Sequence, residues 1–347
     1  MMLCCPNCFG DAFLSTIIKR ESSEIGTCSF CHSAAINLIN PELLNDYFQP
    51  LLDLYEFSEE GTEIHFLLQT EWMLFPSLES SIVKSLILLI TQETYDGRYA
   101  PKKNKVEDRI LNWQEFKNEL KHDNRYFPQK APSYEHLKAL LNFIIFPKET
   151  TPDFLYRARI NIDTDMYRLE EMGKPPAKIS SAGRANPLGI PYLYTASNIA
   201  TAIAEIRPHK GDSVTVAKYQ VIEPLILADL RNPRQTISPF ELDENGLNQV
   251  YLDLDYLCHL GEELSKPILP RDAQLEYLST QYLCELIKHC GFDGVIYKSS
   301  VGDGDNYAIF TDNKVHGIET RAFLIDNIRI TFSTPVTDQG TTVPEST

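Results

Sequence analysis

The sequence predicts an α+β chain in three parts: a small four-cysteine segment, an all-α region, and a C-terminal domain of alternating strands and helices. Three observations carry this. Four cysteines sit in two Cys-x2-Cys hooks near the N-terminus. From about Asn40 to Phe146, apolar residues recur at helical steps. After Thr151 the chain turns to short β-branched and aromatic runs set between Gly- and Pro-rich turns. The 347 residues suffice for two to three domains of roughly 150 residues each. The expected parts are 1–40, 41–148 and 149–333, with a polar tail at 334–347 expected to be disordered.

The first part reads Cys5-x2-Cys8, then Cys28-x2-Cys31. Each hook offers two thiolates from one tight turn, for which Gly10 and Gly26 are suited. Two hooks at this separation match a four-thiolate Zn2+ site. Four Cys ligands leave no open coordination position, so the expected zinc is structural and no catalytic metal is called for. Cys4 and His32 are substitute ligands.

In the second part, "PELLNDYFQPLLDLYEF", "GTEIHFLLQTEWMLF", "SSIVKSLILLI", "NWQEFKNELKHDNRYF" and "SYEHLKALLNFIIF" each place apolar residues on one helical face. The basic run Pro101–Lys105 reads as a solvated loop. In the third part, "FLYRARI", "PYLYTA", "DSVTVAKYQVI", "LILADL", "GVIYKSS" and "NYAIFT" read as strands. "SNIATAIAEIR" reads as a helix with Ser197 as N-cap and Pro208 as stop, and "LSTQYLCELIKHCG" as a helix closed by Gly291.

Composition bounds the function. With 43% hydrophobic and 23% charged residues, a packed core is expected. A net charge of −16 opposes the clustered Lys and Arg that a nucleic-acid surface needs, so nucleic acid is disfavoured as a partner. The longest strongly apolar run, Ser85–Gln92, is too short to span a bilayer, and "MMLCCPNC" lacks the basic and apolar regions of a signal peptide. A cytoplasmic setting without membrane contact is expected, and cysteines in metal-type spacing agree with it.

Polar residues interrupt four apolar elements of the third part. In "FLYRARI", strand alternation places Leu155, Arg157 and Arg159 on one face. "SAGRANPLGIPYLYTAS" carries Arg184, Asn186 and Tyr194. The following helix carries Glu205, and "GVIYKSSVGDGDNYAIF" carries Ser299, Ser300 and Asn306. Taken singly, each has a plainer explanation: a solvated carboxylate, a loop cap or turn chemistry.

Together, "YRARI", "GRANPLGIPYLYTASNIATAIAEIRP" and "YLSTQYLCELIKHCGFDGVIYKSSVGDGDNYAIF" resemble the RES-domain family, named for an Arg, a Glu and a Ser in that order. The resemblance covers about 180 residues, and the helical part is similar to the N-terminal region of larger members. It implies an ADP-ribosyltransferase-like fold. It also implies a toxin-type enzyme that consumes NAD+ by hydrolysis or phosphorolysis and is restrained by an antitoxin or inhibitor protein. The family Arg falls on Arg157, a second Arg on Arg184, the Tyr on Tyr194, the Glu on Glu205, and the Ser on Ser299 with Ser300 as the alternative. The stretch "GRANP" lacks the Trp of the family's "GRWN"-like motif, which puts its ring contact in doubt.

The chemistry asked of those residues is consistent. Breaking the nicotinamide–ribose bond passes through an oxocarbenium-like state that a carboxylate stabilises, which suits Glu205. Guanidiniums bind phosphate oxygens, which suits Arg157 and Arg184, with Arg159 behind Arg157 or paired with Glu205. An aromatic face packs on a cationic ring, which suits Tyr194. Asn186, Ser299, Ser300 and Asn306 offer donors to the substrate. The expected catalytic set is Arg157, Tyr194, Glu205 and Ser299, with NAD+ as substrate. The acceptor is open between water, phosphate and a protein. A protein ADP-ribosyltransferase and an inactive zinc-containing adaptor are the alternatives, and self-association is left open.

Overall fold

The computed structural model describes residues 2–102, 109–162, 165–269 and 271–329. The tail at 334–347 and residues 103–105 of the basic run lie outside them. In the cysteine segment, helix α1 (Ala12–Glu21) is capped by Asp11, whose carboxylate accepts from Leu14 N at 2.7 Å. Strands β1 (Glu24–Gly26) and β2 (Ile36–Leu38) pair antiparallel. Gly10 makes the expected turn at φ +72, and a Cβ there would lie 2.8 Å from Pro76. Gly26 makes no turn; it sits in β1 opposite Ile36.

The second part is helical, with one two-stranded ladder added. Helices α2 (Asn45–Leu52), α3 (Ile64–Glu71), α4 (Ser80–Thr91), α5 (Arg109–Asn118) and α6 (Tyr134–Leu141) follow the apolar stripes. Between them β3 (Tyr55–Thr62) pairs with β4 (Tyr99–Pro101). The stripe that suggested helix through Phe57 ends at Leu52, and the acidic run after it is an exposed strand.

In the third part, strands β5 (Phe154–Ile160), β6 (Leu193–Ala196), β7 (Ser213–Val221), β8 (Leu227–Asp229), β9 (Gly294–Lys298), β10 (Asp305–Ile309) and β11 (Val315–Leu324) form one sheet, ordered β11-β7-β5-β6-β10-β9-β8. All pairings are antiparallel except β8 with β9. All seven residues of β5 pair with β7. Against β6, β5 pairs only through Tyr156 and Ala196. The sheet is therefore two half-sheets meeting at a seam.

Helix α7 (Ile199–Glu205) packs over that seam, placing Ile199, Ile203 and Ile206 against Tyr156, Ala158, Ala196 and Val216. Its N-cap is Asn198, not Ser197: the Asn198 amide oxygen accepts from Thr201 N at 2.8 Å. Two short helices, α8 (Pro233–Thr236) and α10 (Ala273–Glu276), flank a 22-residue helix, α9 (Glu244–Ser265). Helix α9 and α11 (Leu278–His289) cover the β9 side of the sheet. One apolar core runs from Cys4 through Phe48, Trp113 and Leu257 to Phe310. This core joins the cysteine segment, the helices and one face of the sheet, while Leu155, Leu193, Ala217 and Ile296 belong to a second cluster.

Candidate functional site

The seam between the half-sheets opens into a cavity of about 260 Å³ lined by Arg157, Tyr194, Thr195, Glu205, Tyr297 and Asn306, among others. Five elements deliver the lining groups. Strand β5 supplies Arg157, β6 supplies Tyr194 and Thr195, and the last residue of α7 is Glu205. Tyr297 and Asn306 face each other across the β9–β10 ladder.

Glu205 is clamped. Its Oε1 accepts from Ser299 Oγ at 2.6 Å and from Asn306 Nδ2 at 2.6 Å. Ser299 Oγ itself accepts from Val301 N at 3.2 Å and Gly302 N at 2.9 Å. Two incoming N–H groups occupy its lone pairs, so its proton points to the carboxylate. This geometry makes Ser299 a fixed donor to Glu205. Ser300 is exposed and Ser299 is not, so Ser299 is the serine brought to Glu205.

Arg157 lies at the seam. Its Nη1 donates to the Tyr194 carbonyl at 3.1 Å, and its buried Nε has no partner. Burial pushes the guanidinium pKa down, and the cation of Arg159 adds to the effect. A buried cation without a carboxylate is costly. The buried hydroxyl of Thr195 is likewise unpartnered. The sequence reading missed Thr195 because it alternates with Tyr194 along an apolar strand. Tyr297 lies within an apolar strand and gives no such signal either.

Tyr194 lines the cavity, and its hydroxyl is spent elsewhere. The hydroxyl donates to Asn186 Oδ1 at 2.8 Å and accepts from Ala185 N at 3.0 Å. Burial holds its pKa well above the usual phenol value.

Three expected substrate contacts fall away from the cavity. Asn186 is buried, and its Nδ2 donates to the carbonyls of Ser181, Pro187 and Ile190 at 2.9–3.1 Å. It knits its own loop, which needs Gly183, where a Cβ would lie 2.4 Å from Asn186 Oδ1. Arg184 Nη1 donates to the carbonyls of Leu264 and Lys266 at 2.6 Å each, closing the end of α9. Arg159 lies 4.5 Å over the Tyr167 ring and donates to the Glu171 carbonyl at 2.7 Å. It does not pair with Glu205; its guanidinium is engaged by Tyr167 and Glu171 instead.

The four hook thiols form a separate group. Sγ separations are 3.9 Å for Cys5–Cys8, 3.4 Å for Cys5–Cys31 and 3.4 Å for Cys8–Cys28, and all four lie within 4.8 Å of one another. Four sulfurs at about 2.3 Å from a tetrahedral Zn2+ stand about 3.8 Å apart, so the set fits that ion. In the metal-free chain burial pushes the Cys5 thiol up to about 12. Cys4 points instead to the Ile39 carbonyl, and His32 is outside the group.

A split antiparallel sheet, a helix over the split, and an Arg, a Glu and a Ser gathered at the opening define an α+β domain built around a small-molecule cleft. The RES-domain family model matches residues 155–332, just over half of the chain, and the chain belongs to that family. No curated protein matches. Among solved structures, the chain is similar to one in the M. tuberculosis MbcT-MbcA toxin-antitoxin complex. Identity is 11% and the TM-score 0.33, over 56% of this chain and 93% of that one. Among the described residues no helix is long and apolar enough to cross a membrane.

Proposed function

We propose that this chain is an NAD+-consuming enzyme that cleaves the nicotinamide–ribose bond. The observation that carries the reading is the Glu205 carboxylate, fixed by Ser299 and Asn306 in the same cavity as a half-buried Arg157 whose Nε has no partner. The bond to C1 of the ribose breaks with its electron pair leaving on the nicotinamide nitrogen, which becomes neutral. Positive charge develops on the sugar. Glu205 Oε2 has no hydrogen-bond partner among the described residues and faces that charge. Arg157 meets the diphosphate, which repays its desolvation. The ring of Tyr194 packs on the pyridinium. Water or inorganic phosphate then adds at C1 and loses a proton to solvent. Zn2+ held by Cys5, Cys8, Cys28 and Cys31 has a folding role apart from this chemistry. An inhibitory partner protein belongs to the same reading, on the strength of the family.

Product analysis with the purified full chain, NAD+ and phosphate tests the proposal. Free nicotinamide is expected, with ADP-ribose if water is the acceptor and ADP-ribose-1″-phosphate if phosphate is. Label carried on protein would mean transfer to a side chain. Glu205→Gln should lower turnover by about 10²-fold or more. Intact NAD+ after prolonged incubation with the folded chain would sink the reading.

A further inference from the structure

Helix α7 and the glycine turn between β9 and β10 are fastened to each other by two hydroxyls outside the set of residues already assigned a role. Thr201 Oγ1, on a side chain 1% exposed, accepts from Gly304 N at 3.1 Å. Ser197 Oγ accepts from Asp305 N at 3.0 Å, and Ser197 N donates back to the Asp305 carbonyl at 2.9 Å. The turn closes on itself through Ser299 N, which donates to the Gly304 carbonyl at 3.1 Å. The fit leaves little room for a side chain at Gly304 or Gly302. A Cβ on Gly304 would lie 2.5 Å from both Ser197 Oγ and Thr201 Oγ1, and one on Gly302 would lie 3.1 Å from Thr201.

The fastening has a directional consequence. Glu205 stands one turn of α7 beyond Thr201, and its two donors, Ser299 and Asn306, flank the turn that Thr201 and Ser197 hold. Both donors end on one oxygen of one carboxylate, which requires helix and turn to stay in register within a few tenths of an ångström. The hydrogen bonds to Glu205 alone give little such control, because a glycine-rich turn is conformationally permissive. A donor displaced by 1 Å leaves hydrogen-bonding range.

We infer that Thr201, assisted by Ser197, is a positioning residue: its hydroxyl locks the glycine turn to α7 and so sets Ser299 on Glu205, beside Asn306, which β10 holds in the sheet. Thr201 touches no substrate in this scheme and acts through Ser299. Its kinetic consequence rests on the NAD+-cleavage reading; the structural consequence does not.

The test compares Thr201→Val, which keeps shape and removes the acceptor, with Thr201→Ser, which keeps the hydroxyl. Turnover of NAD+ and amide hydrogen exchange over residues 299–306 are measured on the folded full chain. Thr201→Val should lower kcat at least tenfold with KM within about twofold, since Arg157 and the ring of Tyr194 are untouched. It should also speed exchange at Gly304 and Asp305. Thr201→Ser should stay within about twofold of the parent in both readouts. Two outcomes overturn the inference: Thr201→Val behaving like the parent, or Thr201→Ser losing as much as Thr201→Val, which would make size rather than the hydroxyl the determinant. If the parent leaves NAD+ intact, the enzyme reading fails by itself. The exchange comparison then still decides whether Thr201 locks the turn.

Discussion

In the proposed reading, Arg157 divides stability from function. Its guanidinium has one carbonyl partner, an orphaned Nε and the repulsion of a second cation, Arg159. A group so placed is held by the fold at a cost and becomes favourable only when an anion arrives. Arg157→Met keeps the length and removes the charge. It should raise Tm by on the order of 2 °C while NAD+ turnover falls below detection. A fall in Tm by several degrees would show that the Tyr194 carbonyl contact outweighs the desolvation, making Arg157 structural first. The sequence made Arg157, Glu205, Ser299 and Asn306 legible because each breaks an apolar element. The same signal marked Arg159, Arg184 and Asn186, and there it reported loop and helix-end carbonyls in need of donors. Residue type alone does not distinguish a side chain that serves a ligand from one that serves the backbone.

Elements place these residues, and α9 is the instructive one because its sequence hid it. "ENGLNQVYLDLDYLCHLGEELS" carries Gly246 and Gly261 and scatters acids through its apolar face. Asp253 and Glu263 are buried there, satisfied by Arg109 and His136 and by Lys117, all more than 100 residues away in sequence. Such pairing is invisible to periodicity. Strand β11 escaped for the opposite reason: it is an edge strand, largely exposed, with little apolar alternation. Gly261 brings α9 against the backbone just after β8, since a Cβ there would lie 2.1 Å from the Leu230 carbonyl oxygen. Gly→Ala in a helix ordinarily gains about 1 kcal/mol. Here the clash is with backbone, so the helix must move, and overpacking costs about 1–3 kcal/mol. Gly261→Ala should therefore lower the urea midpoint, with a net loss on the order of 1 kcal/mol. It should also loosen Arg184 from the end of α9. A higher midpoint would mean that α9 shifts freely and does not fix the loop that carries Arg184.

At the scale of the whole molecule, one apolar core joins all three parts, and two devices cross it. The Lys117–Glu263 pair joins α5 to α9 with both side chains less than a tenth exposed. Removing one partner strands a buried charge. Lys117→Met should thus destabilise by about 3–5 kcal/mol, and Lys117→Met with Glu263→Met should recover most of the loss. A double variant no better than the single would show that the pair contributes more than it costs to bury. The second device is the thiol group. Cys5, Cys8 and Cys28 belong to the same contiguous core as Phe48, Trp113 and Leu257, so a Zn2+ ion there ties two hooks and the core behind them. Metal binding to such a site is folding free energy. Stripping the ion with a chelator should lower the single melting transition of the full chain by roughly 10 °C or more, and stoichiometric Zn2+ should restore it. Cys28→Ser should melt like the stripped protein and ignore added zinc. An early transition split from an unchanged main one would mean that the hooks fold apart from the rest. An unchanged Tm in a chain shown by elemental analysis to have lost its metal would remove the ion from the stability of the fold altogether.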